Sequence, residues 1–296
     1  MRNKAFYKHY YLMLLPGLLW LFFVNILPMH GILMAFKDFN AGMGVFRSPW
    51  VGLDHFRYMF ELDDSRVIFK NTVMIALLKM VGNLIVPLIF ALMLNEVRHR
   101  LFTRSVQTAV YLPHFLSWVI VAGIMLDIFS YTGPVNRLLT SFGAEPVLFF
   151  AKPDLFPALV VASDIWKEFG FAAIIFLSAL TSINPEMYEA AAIDGASQFK
   201  RLTHITLPSI VPVVVLVGTL SMGNILNAGF DQIFNLYNPT VYSTGDIIDT
   251  WVYRAGLIDM QYGLATAVGL LKSVVGFVMI SITYGLAYRF ANYRIF

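Results

Sequence analysis

An all-α integral membrane protein with six transmembrane helices is the fold class this chain predicts, on three observations. Of its 296 residues, 58% are hydrophobic and only 13% charged, with a mean hydropathy of +0.69. Soluble globular chains have roughly 45–50% and 25%. The apolar residues gather into six stretches, each close to or above the roughly 20 residues that cross a bilayer. Between the fourth and fifth lies a patterned polar stretch, EMYEAAAIDGASQFKRLTHITLPSI at 186–210.

The first span is expected at 11–36, after Arg2, Lys4 and Lys8. Its apolar run is too long for a signal-peptide core and no small-residue cleavage site closes it, so it reads as a retained span. The others are expected at 71–94, 106–128, 158–180, 209–230 and 264–288. An even number of spans puts both termini on one side. That side carries Arg2, Lys4, Lys8, Arg98, Arg100, Arg104, Lys200, Arg201, Arg289 and Arg294, in short segments near span ends. The other side carries Lys37, Arg47, Arg57, Arg66, Lys70, Arg137, Lys152 and Arg254, diluted over longer loops. Positive charge near span ends marks the cytoplasm, so both termini are expected there. The chain then reads as one membrane domain over 1–296, in the cytoplasmic membrane.

The stretch at 182–208 reads as helix, glycine turn, helix. Asn184 can cap open N–H groups, Pro185 suits the first helical position, and Glu186 suits the positive helix end. An alanine-rich run to Ile193 favours helix. Asp194-Gly195 breaks it, since glycine accepts the left-handed backbone. Phe199, Leu202 and Ile205 then form a stripe at helical spacing, which Leu207-Pro208 is expected to stop before the fifth span. A solvated connector at the lipid interface would explain such a loop. Against that, Ala190, Ala191, Ala192, Gly195 and Ala196 admit a close neighbour, and the stripe is short for a membrane anchor. Glu186, Glu189 and Asp194 against Lys200 and Arg201 give a net −1, ill suited to anionic lipid. A docking surface for a protein fits better.

Chemistry of the chain's own is not legible. Cysteine is absent, which excludes disulfides, thiolate metal sites and a Cys nucleophile. There is no G-x-x-x-x-G-K-[ST] phosphate loop and no H-E-x-x-H, and the six histidines (9, 30, 55, 99, 114 and 204) lack metal-ligand spacing. His204 reads as a surface or packing residue. No basic run points to nucleic acid. Ionisable groups within spans are costly and are functional candidates. Asp164, Lys167, Glu168 and Phe171 share a broad face of span four, with Lys167 close enough to pair with Asp164 and not facing its neighbour Glu168. An Asp–Lys pair tying helices together would equally explain them. Ser221, Asn224, Asn227 and Asp231 are expected near one face of span five, with Gly218, Gly223 and Gly229 allowing tight packing. Lys79 and Lys272 read as snorkelling cations or as partners in single structural pairs. An ion-coupled secondary transporter with Asp164, Lys167 and Glu168 as relay is one alternative, although no internal repeat is evident. A membrane enzyme is another, disfavoured by the missing nucleophile–base and metal motifs.

The order Glu189-Ala190-Ala191, two residues, Asp194-Gly195-Ala196, then Ile205-Thr206-Leu207-Pro208 resembles the EAA signature of binding-protein-dependent type I ABC importer permeases. NILPMHGILMAFKDFN (25–40), WVGLDHF (50–56), YLPHFLSWVIVAG (111–123) and GNILNAGFDQIFNLYNP (223–239) are similar to the LplB-type polysaccharide and oligosaccharide branch of the MalF-like group, in which alginate-type permeases are candidates. Ala192 and Gln198 stand where relatives more often have a longer polar and an aromatic residue. The resemblance implies a coupling helix that enters a cleft of a cytoplasmic ATPase, formed by Glu189, Ala190, Ala191, Asp194, Gly195, Ala196, Leu207 and Pro208. It implies a mid-membrane oligosaccharide path lined by Asp164, Lys167, Glu168 and Phe171 before the loop and by Ser221, Asn224, Asn227 and Asp231 after it. Its implied partners are a second, similar permease, two ATPases that bind ATP and Mg, and an extracytoplasmic solute-binding protein. The chain itself would hold no cofactor or metal and would not be an enzyme.

Overall fold

A computed structural model describes the backbone of residues 4–291 and the side chains of 9–285. Among the described residues the regular structure is helical, with one isolated bridge between Lys37 and Trp50 and no strand. The chain divides into two compact units, Met1–Leu62 with Val252–Leu271 and Asp63–Trp251 with Lys272–Phe296.

In the first unit, helix α1 (Lys4–Trp20) passes into a π turn (Leu21–Ile26) and a 3-10 segment (Leu27–Phe36). Pro28, with no N–H to donate, lies where the helix tightens. The apolar stretch His9–Phe36 is almost wholly exposed, as a lipid-facing helix is. The chain after it is held by the Phe36–Trp50 ring stack (5.7 Å) and by a 3.0 Å contact of His55 Nε2 with the Lys37 carbonyl.

The second unit is built on α2 (Asp63–Asn95) and α5 (Phe156–Thr181), its most extensively packed helix pair. Asp63 and Asp64 favour the positive start of α2. Its buried residues Ile68, Thr72, Ile75, Ala76 and Lys79 recur at helical spacing, as do Phe156, Val160, Ser163, Lys167, Gly170 and Ala173 on α5. One apolar core joins Ile75, Phe156, Val160, Ala228 and Ile233, and another joins Ala91, Ala173, Phe176 and Ile210.

Among the described residues, four helical stretches are long and apolar enough to cross a membrane: His9–Phe36, Asp63–Asn95, Gln198–Met222 and Tyr262–Gly285. A bent pair is a fifth if it makes one span. The 26-residue α5 is long enough, and Asp164, Lys167 and Glu168 set it apart from these.

Helix α2 begins at Asp63 rather than at 71, and three further differences from the expected spans change the architecture. The continuous span at 106–128 is instead α3 (Arg100–Tyr111) with a 3-10 turn to Phe115, then α4 (Trp118–Ile128), at 104° to each other. Pro113 ends the first piece and the Ser117 hydroxyl caps the second, accepting from the Ile120 N–H at 3.4 Å. The loop helix is not stopped by Leu207-Pro208. Its second half, α7 (Gln198–Arg201), runs through a π turn (Leu202–Thr206) into α8 (Leu207–Met222). That turn shifts the hydrogen-bond register, so Pro208 falls at a first-turn position where its missing N–H costs little. Finally, span five ends at Met222 rather than 230, and the chain turns through 223–229 before α9 (Phe230–Leu236).

Candidate functional site

Two places carry the candidate residues. The first is the loop helix α6 (Pro185–Ile193). The Asn184 side chain accepts from the Glu186 N–H at 3.0 Å, which caps its start. Its end is a Schellman turn: Ala196 N–H reaches the Ala191 carbonyl at 2.8 Å and Gly195 N–H the Ala192 carbonyl at 3.1 Å. Gly195 has φ +74°, a conformation that costs other residues. Helix, glycine turn and second helix stand as expected.

No residue of α6 is buried, and Glu189, Ala190, Asp194 and Pro208 are exposed while Ala191, Ala196 and Leu207 are half-buried. Ile193 (87% exposed) and Phe199 (73%) leave apolar surface beside the turn. The Tyr188 hydroxyl lies 2.9 Å from the buried Thr206 hydroxyl, and Gln198 donates to Glu96, which follows α2. The loop is thereby tied to the start of α8 and the end of α2.

The second place lies on α5. Lys167 does not pair with Asp164. Its ammonium is 2.8 Å from Glu168 Oε1 and 3.0 Å from the His114 carbonyl, above the Trp118 ring. Adjacent residues are poorly placed to meet along a helix, but a long lysine stem bends back to a glutamate. Asp164 instead holds Lys79 of α2 at 3.1 Å and accepts from Asn83 Nδ2 at 2.8 Å. Lys79 and Lys272 are thus cations in structural pairs, Lys272 with Asp249 at 2.5 Å.

His114, at the α3–α4 bend, was not singled out by spacing. Its Nδ1 lies 2.6 Å from Glu168 Oε2, and its ring stacks on Phe171 with centroids 4.0 Å apart and planes 1° apart. Only the fold brings the bend beside α5. The residues after the loop do not share one helix face: Ser221 bonds back to the Val217 carbonyl on α8, Asn224 and Asn227 lie in the turn, and Asp231 opens α9. Gly223, where α8 ends, keeps a right-handed backbone (φ −60°), while Gly229, at φ +93°, sets the entry into α9. Asn224, Asn227 and Asp231 are exposed, whereas Ile225, Leu226 and Ala228 are buried. The turn therefore displays its amides and hides its apolar side chains. Among the described residues no group of three or more His, Asp or Glu could hold a metal ion.

Residues 83–292 match the family described as "Binding-protein-dependent transport system inner membrane component". The chain is 43% identical to Protein LplB of Bacillus subtilis over 274 residues, covering 92% of this chain and 86% of that protein. It is 39% identical to the polygalacturonan/rhamnogalacturonan transport system permease protein YteP of the same organism over 290 residues, covering 98% and 90%. It superposes on a chain of a bacterial ABC transporter involved in the import of the acidic polysaccharide alginate with a TM-score of 0.89, at 39% identity over 96% of both chains. A related structure of the alginate transporter was solved with an alginate pentasaccharide-bound periplasmic protein (TM-score 0.87, 39% identity, covering 95% and 94%). The ion-coupled alternative finds no support in these relatives, and Asp164 and Glu168 sit in separate ion pairs rather than in one relay. The chain belongs to the membrane-permease family of binding-protein-dependent ABC transport systems.

Proposed function

We propose that the chain is one half of the membrane pathway of an ATP-driven importer of oligosaccharides, working as a single permease domain with six crossings and both termini in the cytoplasm. A second, similar permease completes the pathway, two ATPases bind ATP and Mg, and an extracytoplasmic binding protein delivers the cargo. The observation that carries this reading is α6: a capped helix with no buried residue, ending at exposed Ile193 and followed by exposed Phe199, tied by Tyr188 to Thr206 just before α8, while Gln198 of α7 ties the helix after the turn to Glu96. A helix so capped and tied, with apolar surface uncovered at its end, suits insertion into a partner's cleft. Glu189, Ala190, Ala191, Asp194, Gly195 and Ala196 make that contact, and Leu207 and Pro208 carry its movement into α8.

Cargo passes Glu168, His114 and Phe171 on one side and Ser221, Asn224, Asn227 and Asp231 on the other. An aromatic face beside carboxylate and amide groups suits a sugar ring with its hydroxyls. Lys167 sets the charge of Glu168 from beneath, and Asp164 belongs to the frame behind. The relatives named for alginate, polygalacturonan and rhamnogalacturonan support a uronate-bearing oligosaccharide as cargo. ATP-driven closure of the ATPases would move α6 and with it α8, in an alternating-access cycle. The test is purification of the tagged chain from its native membrane. A second permease and an ATPase should accompany it stoichiometrically, and recovery of the chain without an ATPase would contradict the reading.

A further inference from the structure

The turn at 223–229 is an unusual object between helices of a membrane protein. Its backbone-to-backbone bonds are short-range, among them Asn224 N–H to the Ser221 carbonyl (3.0 Å) and Asn227 N–H to the Asn224 carbonyl (2.7 Å). Irregular backbone at membrane depth is tolerated only where protein or a water-filled cavity satisfies its polar groups. Here Lys79 supplies the partner. Its ammonium donates to the Ala228 carbonyl at 2.7 Å and to Gln232 Oε1, and it lies 3.1 Å from Asp164 Oδ1. Three acceptors use the three N–H bonds of an ammonium. Gln232, fully buried, passes its own amide to the Val160 carbonyl (2.7 Å) and the Ser163 hydroxyl (2.8 Å) on α5. A Cβ on Gly229 would sit 2.8 Å from Lys79 Nζ, so the approach needs a glycine there.

One cation thus joins α2, α5 and the turn. Its carboxylate partner, Asp164, precedes Glu168 and Phe171 by four and seven residues, on the same helix face. We propose that Lys79 is a positioning residue for cargo recognition: it holds the 223–229 turn, and with it the amides of Asn224 and Asn227, in register with the Glu168–Phe171 face. This rests on the reading that the turn lines the cargo path. Lys79 itself is 6% exposed with every donor engaged, so it acts through the turn and not on cargo. Stability alone is a poor account of the arrangement, because a buried ion pair gains little over apolar residues of similar volume, while a unique geometry is what such a pair can supply.

The test uses the complete importer in proteoliposomes with its binding protein, with alginate and galacturonan oligosaccharides as probes, reading uptake KM, maximal rate and melting temperature. Lys79→Met strands the Asp164 carboxylate and lowers assembly, so the informative variant is Lys79→Met with Asp164→Asn, which removes the stranded charge. We expect that double variant to assemble and to keep its maximal rate. Its KM should rise about three- to tenfold, the loss of one or two cargo hydrogen bonds, and should exceed that of Asp164→Asn alone. A double variant with wild-type KM would overturn the proposal, leaving Lys79 a structural tie. Asp164→Asn raising KM as far as the double would overturn it too, by making residue 164 the contact. Asn227→Ala separates the two readings: an unchanged KM there removes the turn from the cargo path, whereas a raised KM beside an unaffected double variant removes only the role of Lys79.

Discussion

The imidazole of His114 and the ring of Phe171 lie face to face, 4.0 Å apart, with Glu168 Oε2 2.6 Å from His114 Nδ1. The stack fixes the α3–α4 bend against α5 and leaves Phe171 42% exposed beside a carboxylate. Phe171→Ala should lose the stack, about 0.5–1.5 kcal/mol, and lower oligosaccharide uptake severalfold while the complex still assembles. Uptake kinetics with a melting curve check this. Wild-type uptake from a complex of unchanged composition would take Phe171 off the path.

Gly195 has φ +74° and donates its N–H to Ala192. Gly195→Pro forces φ to about −65° and removes that donor, so the Schellman turn opens and the second helix is re-aimed. The chain should still insert, since no residue of α6 is buried, while ATPase co-purification falls away. Normal transport with full ATPase recovery would return the loop to a simple connector.

Glu189 is exposed in the isolated chain, where a surface change costs within about ±0.5 kcal/mol. At a closed interface an unpaired or like charge costs about 2–5 kcal/mol. Glu189→Lys should therefore leave the melting temperature of the detergent-purified chain unchanged and cut both ATPase pull-down yield and binding-protein-stimulated ATP hydrolysis. Equal values for variant and wild type would place Glu189 outside the contact.

Lys167 neutralises Glu168 at 2.8 Å. Lys167→Met leaves that carboxylate without its ammonium beside the proposed cargo path, so uptake of an acidic oligosaccharide should drop more than uptake of a neutral one. Some stability is lost as well, less than the roughly 3–5 kcal/mol of a fully buried pair, because the Glu168 side chain is 31% exposed. A melting loss with no change in selectivity would assign Lys167 a structural role alone.

Much of this was legible in the sequence, and the limits were physical. Apolar length and local caps report on neighbouring residues, so the membrane class, the helix over Pro185–Ile193 and the break at Gly195 could be read directly. The length and overall apolarity of 106–128 suggest one straight span, and they outweigh the local signals of the bend between Phe115 and Trp118, namely Pro113 and the Ser117 cap. The early end of span five was masked by composition: Ile225, Leu226 and Ala228 are as apolar as a helix would be, and the turn shows in the short i→i+3 backbone bonds from Gly223 to Asn227 and in the positive φ of Gly229. Ion pairing failed at longer range. Lys167 has an acidic residue three positions before it and another adjacent, and spacing favoured the wrong one. Lys79 finds Asp164, Ala228 and Gln232 from elements far along the chain, a meeting that no local pattern encodes.

In the proposed function this chain moves oligosaccharide with energy taken from a partner's ATP. The direct measurement is uptake of a labelled oligosaccharide into proteoliposomes holding the purified complex, with its binding protein outside and ATP sealed inside. Uptake that requires both ATP and the binding protein, and that Gly195→Pro abolishes, is the result expected. Uptake that proceeds without ATP and follows an imposed proton or sodium gradient would contradict it.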